Sequence, residues 1–100
     1  MTIYALSSGP GTSGIAVIRI SGLNTKKVIE KLTRDRFLKP RLATLKKIYA
    51  INTDDVIDEG IVLWFPGPDS YTGEDMAELH VHGSIAVVKK LHNEISKIED

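Results

Sequence analysis

"DMAELHVHGS", residues 75–84, alternates polar and apolar positions as far as His82 and then breaks at Gly83. A period of two marks a strand with one covered face. On this reading Ala77, Leu79 and Val81 point into a core, and Glu78, His80 and His82 share the other face, about 6.6 Å from one to the next. A strand of this kind needs partners on one side only, which leaves the other side to water or a ligand.

Reading outward, "PGPDSYTG" at 66–73 interrupts any ladder, because two prolines and two glycines cannot sustain one. Before it, "ATLKKIYAIN" and "VIDEGIVLWF" flank a polar "TDD", so a hairpin with strands near 43–52 and 57–65 is expected, with Gly60 marking a bulge or a close approach. After the strand, Ser84 is a suitable N-cap for a helix whose apolar face carries Ile85, Val88, Leu91, Ile95 and Ile98.

Nearer the N-terminus, the β-branched run "GIAVIRI", 14–20, suits a strand covered on both faces, and "TIYAL", 2–6, is a weaker strand. Asn24 opens a predicted helix over 24–33 with Val28, Ile29 and Leu32 inward, and Pro40 limits its extent. The predicted order is β, β, α, β, β, β, α. Strands joined partly by a hairpin, with two helices, predict a single α+β domain over 1–100, a mostly antiparallel or mixed sheet with both helices on one face.

At 100 residues the chain has room for one modest core. With 42% apolar and 26% charged residues it has the composition of a soluble protein, and no apolar run approaches the ~18 residues of a membrane span. The N-terminus lacks the basic start and apolar stretch of a secretory signal, and the absence of Cys removes thiolate metal sites, so a cytoplasmic location is expected. Net charge is zero but uneven. Nine of thirteen Lys and Arg lie between Lys26 and Lys47, and eleven of thirteen Asp and Glu lie from Asp54 onward. Such asymmetry can guide a polyanion to one face, or can simply solvate a helix and a hairpin.

"GPGTSG", Gly9–Gly14, satisfies the G-x-G-x-x-G spacing, but a strand rather than a helix follows, so the phosphate-cradling geometry is missing. Its amides remain able to meet a small ligand, and a plain turn is the alternative. The Glu78, His80, His82 stripe admits three readings: a metal site with open positions, a polar sheet face, or a ligand pocket in which the Glu78 carboxylate accepts paired N–H donors from a planar heterocycle. Arg19, flanked by Val17, Ile18 and Ile20, needs a partner or an anion if it is buried. Trp64, Phe65 and Tyr71 are rings able to stack on a flat ligand or fill a core.

Taken in order, "GIAVIRISG", "LKPR" and "IDEGIVLWFPGPDSYTGEDMAELHVHG" resemble the N-terminal domain of the MnmE (TrmE) tRNA modification GTPases over nearly the whole chain. The resemblance implies a fold like the folate-binding module of glycine-cleavage T proteins, binding of 5-formyltetrahydrofolate, and homodimerisation. It implies that Arg19, Glu78, Tyr71, Gly73 and His82 contribute to the folate site, and that the chain is an N-terminal fragment of a longer multidomain GTPase. That enzyme, with its partner MnmG, modifies the wobble uridine of tRNA and uses GTP, Mg and K. The chain departs from the family where "GPGTSG" replaces an Arg-bearing "PPGRGG"-like loop and where "HGS" replaces "HGG" at His82–Ser84. A small metal-dependent enzyme built on Glu78, His80 and His82, and a pure interaction module, are the alternatives.

Overall fold

The computed structural model describes residues 2–6 and 14–98 apart from 69 and 71, with backbone alone for 2–6. Its elements are β1 (Thr2–Leu6), β2 (Ile15–Gly22), α1 (Thr25–Thr33), β3 (Thr44–Tyr49), β4 (Val56–Phe65), β5 (Met76–His82) and α2 (Ile85–Ser96). The expected element order therefore holds. Among the described residues the strands form one sheet in the order β1-β2-β5-β4-β3, and every neighbouring pair is antiparallel, so the expectation of a possibly mixed sheet narrows to a fully antiparallel one.

The pleat decides which residues meet. Ile18 pairs with Leu79 and Leu79 with Val62, and Ile20 pairs with Ala77 and Ala77 with Trp64, so alternate residues of three central strands line one face. Both helices cover that face. Val28, Ile29 and Leu32 of α1 and Leu91 and Ile95 of α2 join Ala16, Ile18, Ile20, Ile48, Val62, Trp64, Ala77, Leu79 and Val81 in one buried cluster. Trp64 thus fills core. The continuous apolar run of β2, expected to be covered on both sides, is covered on one, with Ile15 of the other face 61% exposed. Ile85 also departs from expectation, since it stays exposed at the first turn of α2.

Caps and clamps fix the helix ends. Ser84 accepts a hydrogen bond from the Val87 N–H at 3.4 Å, as its sequence position implied, whereas the Asn24 side chain makes no cap bond and its carbonyl oxygen instead accepts from Val28 at 2.9 Å. Arg34 closes α1 in the left-handed region at φ 58°. Its guanidinium lies 4.5 Å from the Tyr49 ring centre, donates to Asp54 at 2.7 Å and to the Ala50 carbonyl at 3.0 Å, and also reaches the Thr53 carbonyl. Glu94, buried on α2, accepts from the Ile51 N–H at 2.8 Å and from Lys97 at 2.7 Å. The turn between β3 and β4 is therefore held from both helices.

Gly60 explains how β4 and β5 come so close: a Cβ there would lie 2.2 Å from the backbone oxygen of His80. The close approach anticipated at this position is real, and the register slip in the hairpin lies elsewhere, between Ile48 and Tyr49.

Candidate functional site

The sheet face opposite the helices carries the polar residues. Arg19 stands directly across the ladder from Glu78, which in turn stands across from Leu63, and His80 stands across from Val17 on one side and Ile61 on the other. Directly opposed side chains on an antiparallel pair start close enough to bond. Arg19 Nε donates to Glu78 Oε2 at 2.9 Å, and His80 Nε2 lies 3.0 Å from Glu78 Oε1. Glu78 is thus gripped from both sides.

Arg19 is not a core residue, despite its apolar neighbours in sequence. The pleat puts Ile18 and Ile20 inside and Arg19 on the open face, where 45% of its side chain is exposed against 15% for Glu78. An ion pair that half meets solvent stabilises by no more than ~1 kcal/mol. Its value lies in position: a carboxylate has about four lone-pair sites, and two partners leave capacity for donors from a ligand.

His82 parts company with the stripe. Its ring Nδ1 lies 2.8 Å from Asp58 Oδ1, and its backbone N–H donates to Asp58 Oδ2 at 2.8 Å, so its partner is Asp58 of β4, while the ring bonded to Glu78 is that of His80. Among the described residues no three His, Asp or Glu side chains converge as metal ligands. The stripe expected from period two is therefore one face with two separate clusters. An open groove of about 290 Å³ runs between them, lined by Ile15, Leu45, Gly60, Ile61, His80 and His82.

Gly73 lies in the loop between β4 and β5, with φ 83° and its N–H directed to the Ser70 carbonyl at 3.3 Å. This loop docks on β2 two residue pairs beyond Arg19. Ser21 Oγ lies 2.9 Å from Thr72 Oγ1 and 3.4 Å from Glu74 Oε2, and Gly22 N–H donates to the Asp75 carbonyl at 2.9 Å. Tyr71 lies outside the described residues, as do Gly9–Ser13 of the glycine-rich loop; Gly14 is described and exposed at the mouth of the groove. Sequence reasoning missed Asp58, Ser21 and Thr72. Asp58 reaches His82 across β4 and β5, so only the pairing of those two strands would have pointed to it.

Electrostatics favour ionised acids here. Burial pushes the Glu78 carboxyl up, but hydrogen bonds and charge from His80 and Arg19 outweigh it and hold the pKa below the ordinary value; at Asp58 burial is likewise outweighed by the backbone and ring of His82. Lys97 and the Ile51 N–H lower Glu94 against its burial, and Lys46 and the Phe37 N–H lower Asp35. A lowered folded-state pKa means that the stabilisation is complete above the unfolded carboxylate range and disappears as pH falls through the lowered values. The urea midpoint should therefore stay level from neutrality to about pH 5 and then fall. A midpoint that rises on acidification would contradict these pairings. Glu94→Gln should flatten the acid limb while lowering the neutral midpoint.

The family model described as GTP-binding protein TrmE N-terminus matches residues 2–99. The chain is 65% identical over 100 residues to the tRNA modification GTPase MnmE of Pelagibacter ubique (strain HTCC1062), covering all of this chain and 23% of that protein. It is 44% identical over 104 residues to the mitochondrial tRNA modification GTPase gtpbp3 of Dictyostelium discoideum, covering 98% of this chain and 20% of that protein. It is 49% identical over 87 residues to the mitochondrial 5-taurinomethyluridine-[tRNA] synthase subunit GTPB3 of Danio rerio, covering 87% of this chain and 17% of that protein. The chain thus spans about a fifth of the length of these relatives.

Proposed function

The chain belongs to the family of GTP-binding protein TrmE N-termini, and on that premise we propose that it is the folate-binding and homodimerising part of a tRNA modification GTPase. The observation that carries the folate reading is Glu78, an ionised carboxylate on the open sheet face, with Arg19 and His80 on it and lone pairs to spare. That donor and acceptor set fits a reduced folate. Glu78 would accept ring N–H donors of the pterin in charge-assisted bonds, and Arg19, half exposed, would meet a carbonyl or carboxylate of the same ligand. Gly73 and His82 flank this face from the loop and from the far end of β5, and with Tyr71 they complete the candidate set. The folate, 5-formyltetrahydrofolate or a relative, would supply a one-carbon unit; the chain's own residues bind and orient it.

The rest of the reading is carried by family. GTP, Mg and K would be bound outside this chain, which contains no G-x-x-x-x-G-K-S/T loop. The wobble uridine of tRNA would be the target, MnmG the protein partner and the cytoplasm the location. Among the described residues no helix is long and apolar enough to cross a membrane.

Titrating 5-formyltetrahydrofolate into the chain by calorimetry should give saturable binding. No heat at millimolar ligand would overturn the folate reading. Dimerisation draws support from the same face, where Ile15 and Leu45 are 61% and 62% exposed beside Ile61 and Leu63. Sedimentation velocity should show a dimer growing with concentration, and a constant monomer into the high micromolar range would remove that half of the proposal.

A further inference from the structure

The segment from α1 to β3 holds an aromatic ring out in water, in a stretch of chain rich in cations. Phe37 is 87% exposed and takes no part in the core. It is also held there. Its N–H donates to Asp35 Oδ1 at 2.8 Å, and Asp35 Oδ2 is in turn 2.5 Å from Lys46 Nζ on β3, so the loop is anchored to the sheet at the residue that orients Phe37. A single exposed apolar residue is ordinary. Its surroundings are what call for a partner.

Lys26, Lys31, Arg36 and Lys39 are all exposed, and none has an acidic partner among the described residues. Lys26 and Arg36 line one small cavity with Glu30 and Asp35, which places Lys26 of α1 beside Arg36 of the loop. Glu30 is the acid left over in this stretch, since Asp35 is engaged by Lys46. The segment therefore combines an outward ring with an excess of exposed positive charge. A phosphate backbone satisfies the cations and an unstacked base satisfies the ring, whereas paired bases keep their faces hidden.

We propose that this α1–β3 segment binds unpaired RNA, with a base stacked on Phe37 and phosphates on Lys26, Lys31, Arg36 and Lys39. The inference rests on reading the chain as part of a tRNA-modifying protein, and it adds a second contact surface to the folate site. Acidic protein is the competing occupant, but a flat, outward ring in the same segment gives it no particular advantage.

The test is fluorescence anisotropy of a labelled RNA hairpin with an unpaired loop, beside the same strand closed into a full duplex. The hairpin should bind more tightly than the duplex, and affinity should fall with salt. Phe37→Ala should weaken hairpin binding roughly tenfold and leave the salt slope unchanged, while Phe37→Tyr keeps the affinity. Lys31→Ala and Lys39→Ala should each make the slope shallower by about 0.7. No binding, equal affinity for the duplex, an indifferent Phe37→Ala, or displacement of the RNA by poly-glutamate at matched charge overturns the proposal. A chain that binds the folate yet fails here loses this inference alone.

Discussion

Gly60→Ala is expected to destabilise the chain by about 3 kcal/mol or more, a large part of what a small domain possesses. The added methyl would sit 2.2 Å from the His80 oxygen, 3.1 Å from its carbonyl carbon and 3.3 Å from Val81 Cγ1. The first two are backbone atoms of β5, so no rotamer change relieves the overlap. β4 and β5 would have to part at the centre of the sheet, and both carry the groove. Gly14→Ala is the control, because a Cβ there meets nothing within 4 Å; its cost should stay within about 0.5 kcal/mol. Urea unfolding of the two variants separates them. Equal midpoints would mean that the strands yield at little cost and that Gly60 is not required.

How far the fold could be read from residues follows from the range of each signal. β5 and both helices declare themselves through local periodicity, and they were found within one or two residues. The order of strands is another matter: β5 lies between β2 and β4, a pairing across 59 residues at Arg19 and Glu78 that no local pattern encodes. Arg19 illustrates the consequence. Its sequence neighbours are core, which leaves its own burial open, and on a pleated strand buried neighbours are what an open-face residue has. His82 shows the converse. Its parity with Glu78 is legible, but the Asp58 that captures it comes from β4, and the side-by-side placing of β4 and β5 is a long-range pairing that no local pattern encodes.

Glu78→Gln should weaken 5-formyltetrahydrofolate binding at least tenfold. Charge-assisted hydrogen bonds contribute roughly 1.5–3 kcal/mol each. The amide keeps the shape of the acid but loses the charge and offers N–H in place of one acceptor, which a ligand presenting two donors cannot use. Stability should hardly move, because the Arg19 pair is half in solvent and the substitution leaves Ile18, Ala77 and Leu79 untouched. Arg19→Ala should weaken binding too, so each single variant leaves open whether Glu78 touches the ligand or merely steadies Arg19. The double-mutant cycle decides. In an Arg19→Ala background, a Glu78 that only positions the guanidinium has nothing left to do, and Glu78→Gln costs nothing further. A Glu78 that accepts from the pterin still loses those bonds, and the second substitution weakens binding again by a similar factor. The urea midpoint serves as the check on folding throughout. Wild type and Glu78→Gln with equal folate affinity and equal midpoints would take Glu78 out of the site, and the open sheet face would then have to be explained by its apolar residues and the contacts they make with a second copy.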